Sequence, residues 1–265
     1  MNDGLFEELI AARNERKLCA LVTIADTKGS VPRAAGSKML VYADGKTSGT
    51  IGGGKFESLV RDEALAAIHE KAPLLKSYPL REGETESFGA ICGGEATVLI
   101  EPQVAREAIY LIGGGHCARA IAKLATDAGF FVSVIEDRDE MAGELPRGVM
   151  RIETNAPEFI RSQKWRSDEA IVMVSRNHEI DREALAAAVE QTNAGYIGMI
   201  GSKRKVRIVF DLLRERGVPN ESLDRVHAPL GFDIGADSPA EIAISALAEI
   251  IAVLRGRSGG HMRAG

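Results

Sequence analysis

Three glycine-rich segments and one thiol are the residues in this sequence whose types and spacing can do chemistry. Gly113-Gly114-Gly115-His116-Cys117-Ala118 follows an apolar run and opens a helical pattern. The order Gly113-x-Gly115-x-x-Ala118 is that of a dinucleotide-binding turn. In such a turn the first glycine permits the tight bend and the second lets a phosphate approach the backbone, while the small third residue allows close strand–helix packing. The helix that begins there offers N–H groups and a positive dipole end to an anion. Glu136 closes the next predicted strand, at the spacing of about 20 residues where an acid binds a ribose hydroxyl. Arg138 stands two residues on, so a 2′-phosphate stays open as well. His116 either faces the ligand or serves the helix end, and Cys117 reads as a small buried packing residue.

A second segment, Thr50-Ile51-Gly52-Gly53-Gly54, lies between a strand and a helix and is either another anion cradle or a tight turn. Glu57, one turn into that helix, binds a ligand donor or complements the helix dipole. Arg33, at the end of Gly29-Ser30-Val31-Pro32-Arg33, is a candidate clamp for a phosphate or carboxylate, with a solvated loop arginine as the alternative. Cys92 precedes Gly93-Gly94 in an irregular stretch, where a thiol is either exposed for sulfur handling and soft-metal ligation or simply buried. Gly201-Ser202-Lys203-Arg204-Lys205 puts a hydroxyl and three cations at a helix start. That set suits an anionic cofactor, and it equally suits a capped helix with a solvated basic turn. His178 and Asp181 read as structural, with Asp181 as a cap; Asp233 and Glu241 are weaker candidates still.

The elements that must position these residues fall into two groups. Strands are predicted at 18–25 and 37–42, with a hairpin turn at Asp44-Gly45, then a helix from Lys55 to Lys71 and a strand over 95–102 that ends at Pro102. From Ala108 the pattern changes to strand–helix alternation. Strands are predicted at AIYLIG, FFVSVIED, 169–175 and 195–201, and helices after Gly115 and at 182–193, 203–217 and 239–256. Apolar strands alternating with helices imply a parallel, doubly wound sheet. The expected fold class is therefore α/β: a small N-terminal α/β domain over 1–103, then a Rossmann-like parallel-sheet domain over 104–265.

Composition narrows the function classes. The 265 residues are 45% hydrophobic and 27% charged, enough for two packed cores. A net charge of −5 supplies no basic field for nucleic acid. No apolar run reaches the ~20 residues needed to cross a bilayer, and the acidic N-terminal stretch is unlike a secretion signal. Cys19, Cys92 and Cys117 are too scattered for a disulfide framework or a zinc site. These features imply a cytoplasmic protein with a small-molecule ligand and no metal site of its own.

In their order and spacing these blocks resemble the XdhC/CoxI family, the accessory proteins of xanthine dehydrogenase and related molybdenum hydroxylases. The resemblance spans nearly the whole chain. Besides the segments above it rests on Gly36-Ser37-Lys38-Met39, GTIGGGKFE (49–57), Cys92-Gly93-Gly94-Glu95 and Glu136-Asp137-Arg138. Further along it rests on Ser175-Arg176-Asn177-His178 with Asp181, YIGMIGSKRK (196–205) and APLGFDIGADSPAEIA (228–243). The resemblance implies a non-catalytic chaperone that binds molybdenum cofactor, a pyranopterin with or without a nucleotide. Such a chaperone assists the cofactor's sulfuration and its insertion into an apo-molybdenum hydroxylase. It further implies a homodimer, a cysteine desulfurase as a second partner, and Cys92 as the thiol nearest molybdenum or sulfur. Many relatives carry a cysteine directly after the glycine triplet where this chain has Lys55, so a two-cysteine mechanism using that position is closed to it. The alternative, from the Gly113 turn and Glu136 alone, is an NAD(P)-dependent oxidoreductase acting on a small molecule.

Overall fold

The structure is a computed structural model, and it describes residues 3–80, 93–103, 106–137, 145–175 and 178–262. The chain divides into two compact units, Met1–Ala105 and Arg106–Gly265.

The first unit is a five-stranded antiparallel sheet with a helix on each face. Its strands are β1 (Cys19–Lys28), β2 (Lys38–Tyr42), β3 (Thr47–Gly49), β4 (Leu74–Leu80) and β5 (Gly94–Gln103), in the order β3-β2-β1-β5-β4. Alternation along β1 and β2 sorts the side chains between two layers. Ala20, Val22, Ile24, Met39 and Val41 pack under Phe56, Val60, Ala64 and Ala67 of α2 (Gly54–Glu70). Cys19, Leu21 and Leu40 face Leu5, Leu9 and Ala12 of α1 (Asp3–Asn14) instead, and Cys19 is fully buried there. Two features differ from the sequence expectation. Strand β5 runs through Pro102 to Gln103, with Pro102 still in register opposite Ala20. Strand β4 is absent from that expectation: it is an edge strand that exposes Leu75 and tolerates Pro79 because one side of its ladder is unpaired.

The second unit is a six-stranded sheet in which neighbouring strands run parallel, in the order β11-β10-β9-β6-β7-β8. Its strands are β6 (Ala108–Ile112), β7 (Phe131–Ile135), β8 (Met150–Ile152), β9 (Glu169–Met173), β10 (Tyr196–Met199) and β11 (Val226–His227). All five residues of β9 are buried, as a strand covered on both faces requires. Ile109, Leu111, Val132 and Val134 pack with α3 (His116–Asp127) and α8 (Pro239–Leu254). Ile112, Ile135, Ile171 and Met173 pack on the opposite face with α4 (Ala156–Ser162), α5 (His178–Gln191), α6 (Lys203–Glu215) and α7 (Asn220–Leu223). Trp165 belongs to that second layer, edge-on to Tyr110 with ring centroids 4.9 Å apart, and its indole N–H donates to Ile160 O at 2.7 Å.

Neighbouring strands β6 and β9 send their following helices, α3 and α5, to opposite faces of the sheet. That reversal is the topological switch point, where a doubly wound sheet opens a crevice beyond the carboxyl ends of its strands. The architecture is the expected doubly wound α/β fold. Short elements β8, α4, α7 and β11 go beyond the expectation; they carry too few residues for a periodic signal.

Candidate functional site

The switch point of the second unit holds a cavity of about 360 Å³. Gly113 lines it from the end of β6, Glu136 and Asp137 from the end of β7, Asn155 from the start of α4, Ser175 from the end of β9, and Glu179, Arg182 and Glu183 from α5. Glu136 is 6% exposed, and its carboxylate accepts a hydrogen bond from the Gly114 N–H at 3.1 Å. It thus fixes the turn while lining the cavity. Glu183 is held below the ordinary carboxyl range, first by its hydrogen bond from Arg216 (2.7 Å), with Arg182 (3.1 Å) also lowering it against the opposing effect of burial.

The two outer glycines of the turn have different physical reasons. Gly113 has φ of +104°, and a Cβ there would lie 2.9 Å from Ser175 Cα and 3.1 Å from Ser175 N. Both the backbone conformation and the packing against β9 demand glycine. Gly115 has an ordinary φ of −69° and caps α3 without a side-chain bond; a Cβ built on it meets nothing within 4 Å. The fold would accept a side chain at 115. The space before that backbone is open, at the N-terminus of a 12-residue helix, which fits a phosphate-bearing ligand. Ala118 is fully buried in the α3 layer, as its small size predicts. His116 is exposed, and Cys117 is half-buried rather than buried as expected, although its neighbour Ala118 in the same first turn of α3 is fully buried. Arg138 lies outside the described residues.

The basic turn at α6 is sorted by the fold. Ser202 is the N-cap, its hydroxyl accepting from the Lys205 N–H. Lys203 is exposed. Lys205 turns inward and donates to Asp181 at 2.6 Å and to Ile200 O at 3.3 Å. Asp181 has no solvent exposure and also accepts from the Ser175 N–H at 3.3 Å, so it ties α5, α6 and the end of β9 together. Asp181 lies inside α5 rather than at the cap position the sequence reading gave it, and its buried ion pair with Lys205, 24 residues away, does not show in local spacing. The His178 side chain lies outside the described residues. Asp233 is exposed, and Glu241 completes a capping box with Ser238 at the start of α8.

In the first unit the fold brings together the loop after β1, the glycine triplet and the start of β5. Ser30 bridges to Gly93, whose N–H donates to Leu80 O at 3.0 Å. A Cβ on Gly94 would lie 2.2 Å from Ser30 O, and one on Gly52 would lie 2.8 Å from Pro32 Cβ. Arg33, next to Pro32, is exposed. Cys92 lies outside the described residues. The triplet already holds an anion of the chain's own. Glu57 Oε2 accepts from Thr50 Oγ1 (2.5 Å), Gly53 N–H (3.0 Å) and Ile51 N–H (3.1 Å). Burial opposes ionisation of Glu57, but the bonds from Thr50 and from the backbone of Gly53, Ile51 and Gly52 outweigh it and hold the carboxyl below its ordinary value. An external phosphate at Gly52 or Gly53 would compete with that carboxylate. Gly54 and Lys55 begin α2, beyond these bonds.

Several residues of the switch-point cavity escape a reading of the sequence. Asn155, whose side chain accepts from the Glu158 N–H, carries the cap-then-proline signal of a helix start, Asn155-Ala156-Pro157. Arg182 and Glu183 carry no signal apart from helical position. Among the described residues no group of three or more His, Cys, Asp or Glu side chains could hold a metal ion, and no helix is long and apolar enough to cross a membrane.

Residues 109–250 match the XdhC Rossmann domain, and residues 12–79 match the XdhC and CoxI family. The chain is 38% identical over 257 residues to the uncharacterized protein YqeB of Escherichia coli K12, covering 95% of this chain and 47% of YqeB. It is 29% identical over 154 residues to a probable xanthine dehydrogenase subunit of Bacillus subtilis 168, covering 57% of this chain and 43% of that protein. This chain therefore spans about half the length of these two relatives or less. It is 23% identical to the molybdenum cofactor insertion chaperone PaoD of Escherichia coli K12, over 89% of this chain and 84% of PaoD. Among solved structures, a xanthine dehydrogenase of Bacillus halodurans shares the fold, with a TM-score of 0.51 at 22% identity, covering 95% of this chain and 96% of that one.

Proposed function

We propose that this chain, which belongs to the XdhC and CoxI family, is a maturation factor that binds molybdenum cofactor on behalf of an apo-molybdenum hydroxylase. The structural observation that carries the reading is the contrast at the Gly113 turn. The fold requires glycine at 113 and leaves 115 open before a helix N-terminus, next to a cavity walled by five separate elements. Similarity to PaoD supports the choice of ligand, and similarity to the Bacillus subtilis protein supports the class of partner.

When bound, the cofactor supplies a molybdenum centre held by a pyranopterin dithiolene, with or without an attached nucleotide. The chain's own residues bind and orient it. The backbone at Gly115 and the first turn of α3 hold a phosphate, and Glu136 keeps the Gly114 peptide fixed as it does so. Glu136 and Glu183 are engaged with the Gly114 N–H and the Arg216 guanidinium, so they act as positioning residues. Cys92 is the proposed thiol for contact with sulfur or molybdenum. Assistance in sulfuration, a cysteine desulfurase as donor and a homodimeric, cytoplasmic state complete the proposal.

A second reading, an NAD(P)-dependent oxidoreductase, has one observation in its favour. Glu136 lines the switch-point cavity from the strand end where an acid binds a ribose diol. Equilibrium dialysis of the purified chain against NAD, NADP and isolated molybdenum cofactor decides between them. Retention of the pyranopterin over both dinucleotides is expected, and reduced retention in Cys92→Ala. Tight NAD binding with no retention of the pyranopterin would reverse the ranking.

A further inference from the structure

A second cavity, of about 510 Å³, runs along α6 and shares Ser175 with the switch-point cavity. That volume lies within the range of about 300–1,000 Å³ typical of small-molecule sites. Its described walls combine the hydroxyl-bearing Ser175 and Ser202, the cations Arg204 and Lys205, and an apolar strip including Ile208 and Leu212. Ile208 is 47% exposed, a large aliphatic side chain left facing the groove and solvent.

The described linings of the two cavities differ in charge. Among the described residues the switch-point side carries Glu136, Asp137, Glu179 and Glu183 with Arg182; Glu136 accepts from the Gly114 N–H, and Glu183 is paired with Arg182 and Arg216. None of the described residues lining the α6 groove is a carboxylate. On the α6 side of Ser175 an anionic group meets cations and, among the described lining residues, no carboxylate. Within the groove the two cations are not equivalent. Lys205 is compensated by the fully buried Asp181 at 2.6 Å, whereas Arg204 has neither a hydrogen bond nor an ion pair among the described residues. Lys203 does not line the groove. A guanidinium matches the two oxygens of a phosphate in a way an ammonium does not, and the aliphatic strip matches the face of a planar ring.

We propose that the α6 groove is a subsite separate from the Gly115 turn, for a phosphorylated planar heterocycle, with Arg204 binding a phosphate other than the one at Gly115 and Ile208 and Leu212 supporting the ring. The identity of that ring as a pterin rests on the function proposed above; the cationic lining of the groove and the role of Arg204 do not. The test uses the full chain and fluorescence titration with a pterin phosphate ester, the same pterin without phosphate, and inorganic phosphate. Arg204→Ala is expected to weaken the phosphate ester by about tenfold or more, the loss of a charge-assisted contact. Lys203→Ala should leave its affinity unchanged, Arg204→Lys should recover part of it, and the unphosphorylated pterin should not distinguish wild type from Arg204→Ala. Trp165 fluorescence verifies that each variant is folded. Wild-type affinity in Arg204→Ala, or equal losses in Lys203→Ala, overturns the groove and leaves the carrier function standing. Inorganic phosphate binding as tightly as the ester also overturns it, because the ring would then contribute nothing. If wild type binds neither pterin, this proposal and the choice of cofactor fall together, and the groove is left to a protein partner.

Discussion

Replacing Gly113 and Gly115 in turn by alanine separates the glycine the fold needs from the glycine the ligand needs. At Gly113 a side chain must adopt φ of +104° and push a Cβ to within 2.9–3.1 Å of Ser175 Cα and N. The backbone strain costs about 1–2 kcal/mol and the overpacking against a buried strand end about 1–3 kcal/mol. Gly113→Ala should therefore destabilise the second unit by about 2–5 kcal/mol. At Gly115 the dihedrals are ordinary and a Cβ meets nothing within 4 Å. Gly115→Ala should change stability by less than about 1 kcal/mol, a lost few tenths at the N-cap being offset by a less flexible unfolded chain. The same methyl group stands where a phosphate must approach, so ligand affinity should fall by about tenfold or more. Urea unfolding followed by the single tryptophan, Trp165, which lies in the core of this unit, reads stability; equilibrium dialysis reads binding. A cost below about 1 kcal/mol for Gly113→Ala would refute the packing argument. Unchanged affinity in Gly115→Ala would refute the phosphate assignment.

Two further outcomes follow from the hydrogen-bond networks. Glu57→Ala strands the Thr50 hydroxyl and the Ile51 and Gly53 N–H groups, and should destabilise the first unit by about 2–3 kcal/mol. Urea unfolding followed by far-UV circular dichroism should show that loss as a lowered midpoint; an unchanged midpoint in Glu57→Ala would contradict it. Burial opposes ionisation of Glu249, yet bonds from His227, Tyr196 and the Gly231 N–H hold its carboxyl below the ordinary value of 4.5. A lowered folded-state value means stability that is present above the unfolded value and lost as pH falls through the folded one. The gap in urea midpoint between wild type and Glu249→Gln should be widest near neutral pH and close in acid, and a gap that widens in acid would contradict the network.

The doubly wound sheet is legible in the sequence because its central strands are mostly apolar, interrupted by Ser133 in β7 and Glu169 at the head of β9, and its later helices begin at recognisable caps, as at Ser202 and Ser238. Strand β4 is not, since Leu75 points to solvent and Pro79 reads as a breaker; its pairing with β5 overrides both. The glycine turns are legible as turns, but their contents are not. Local spacing places Glu57 one turn beyond the triplet without showing whose donors it takes, and only the folded chain puts its carboxylate against Ile51 and Gly53. Likewise Lys203, Arg204 and Lys205 look alike in sequence. The helix phase of α6 turns Lys205 onto Asp181, leaves Lys203 exposed and puts Arg204 on the groove.

The most direct test is the molybdenum and pterin content of the chain purified from a host that makes molybdenum cofactor. Metal analysis and fluorescence of the oxidised pterin should find both in comparable amounts on the wild-type chain, and both diminished on folded Gly115→Ala. Molybdenum and pterin no higher than in chain from a cofactor-deficient host would contradict the account.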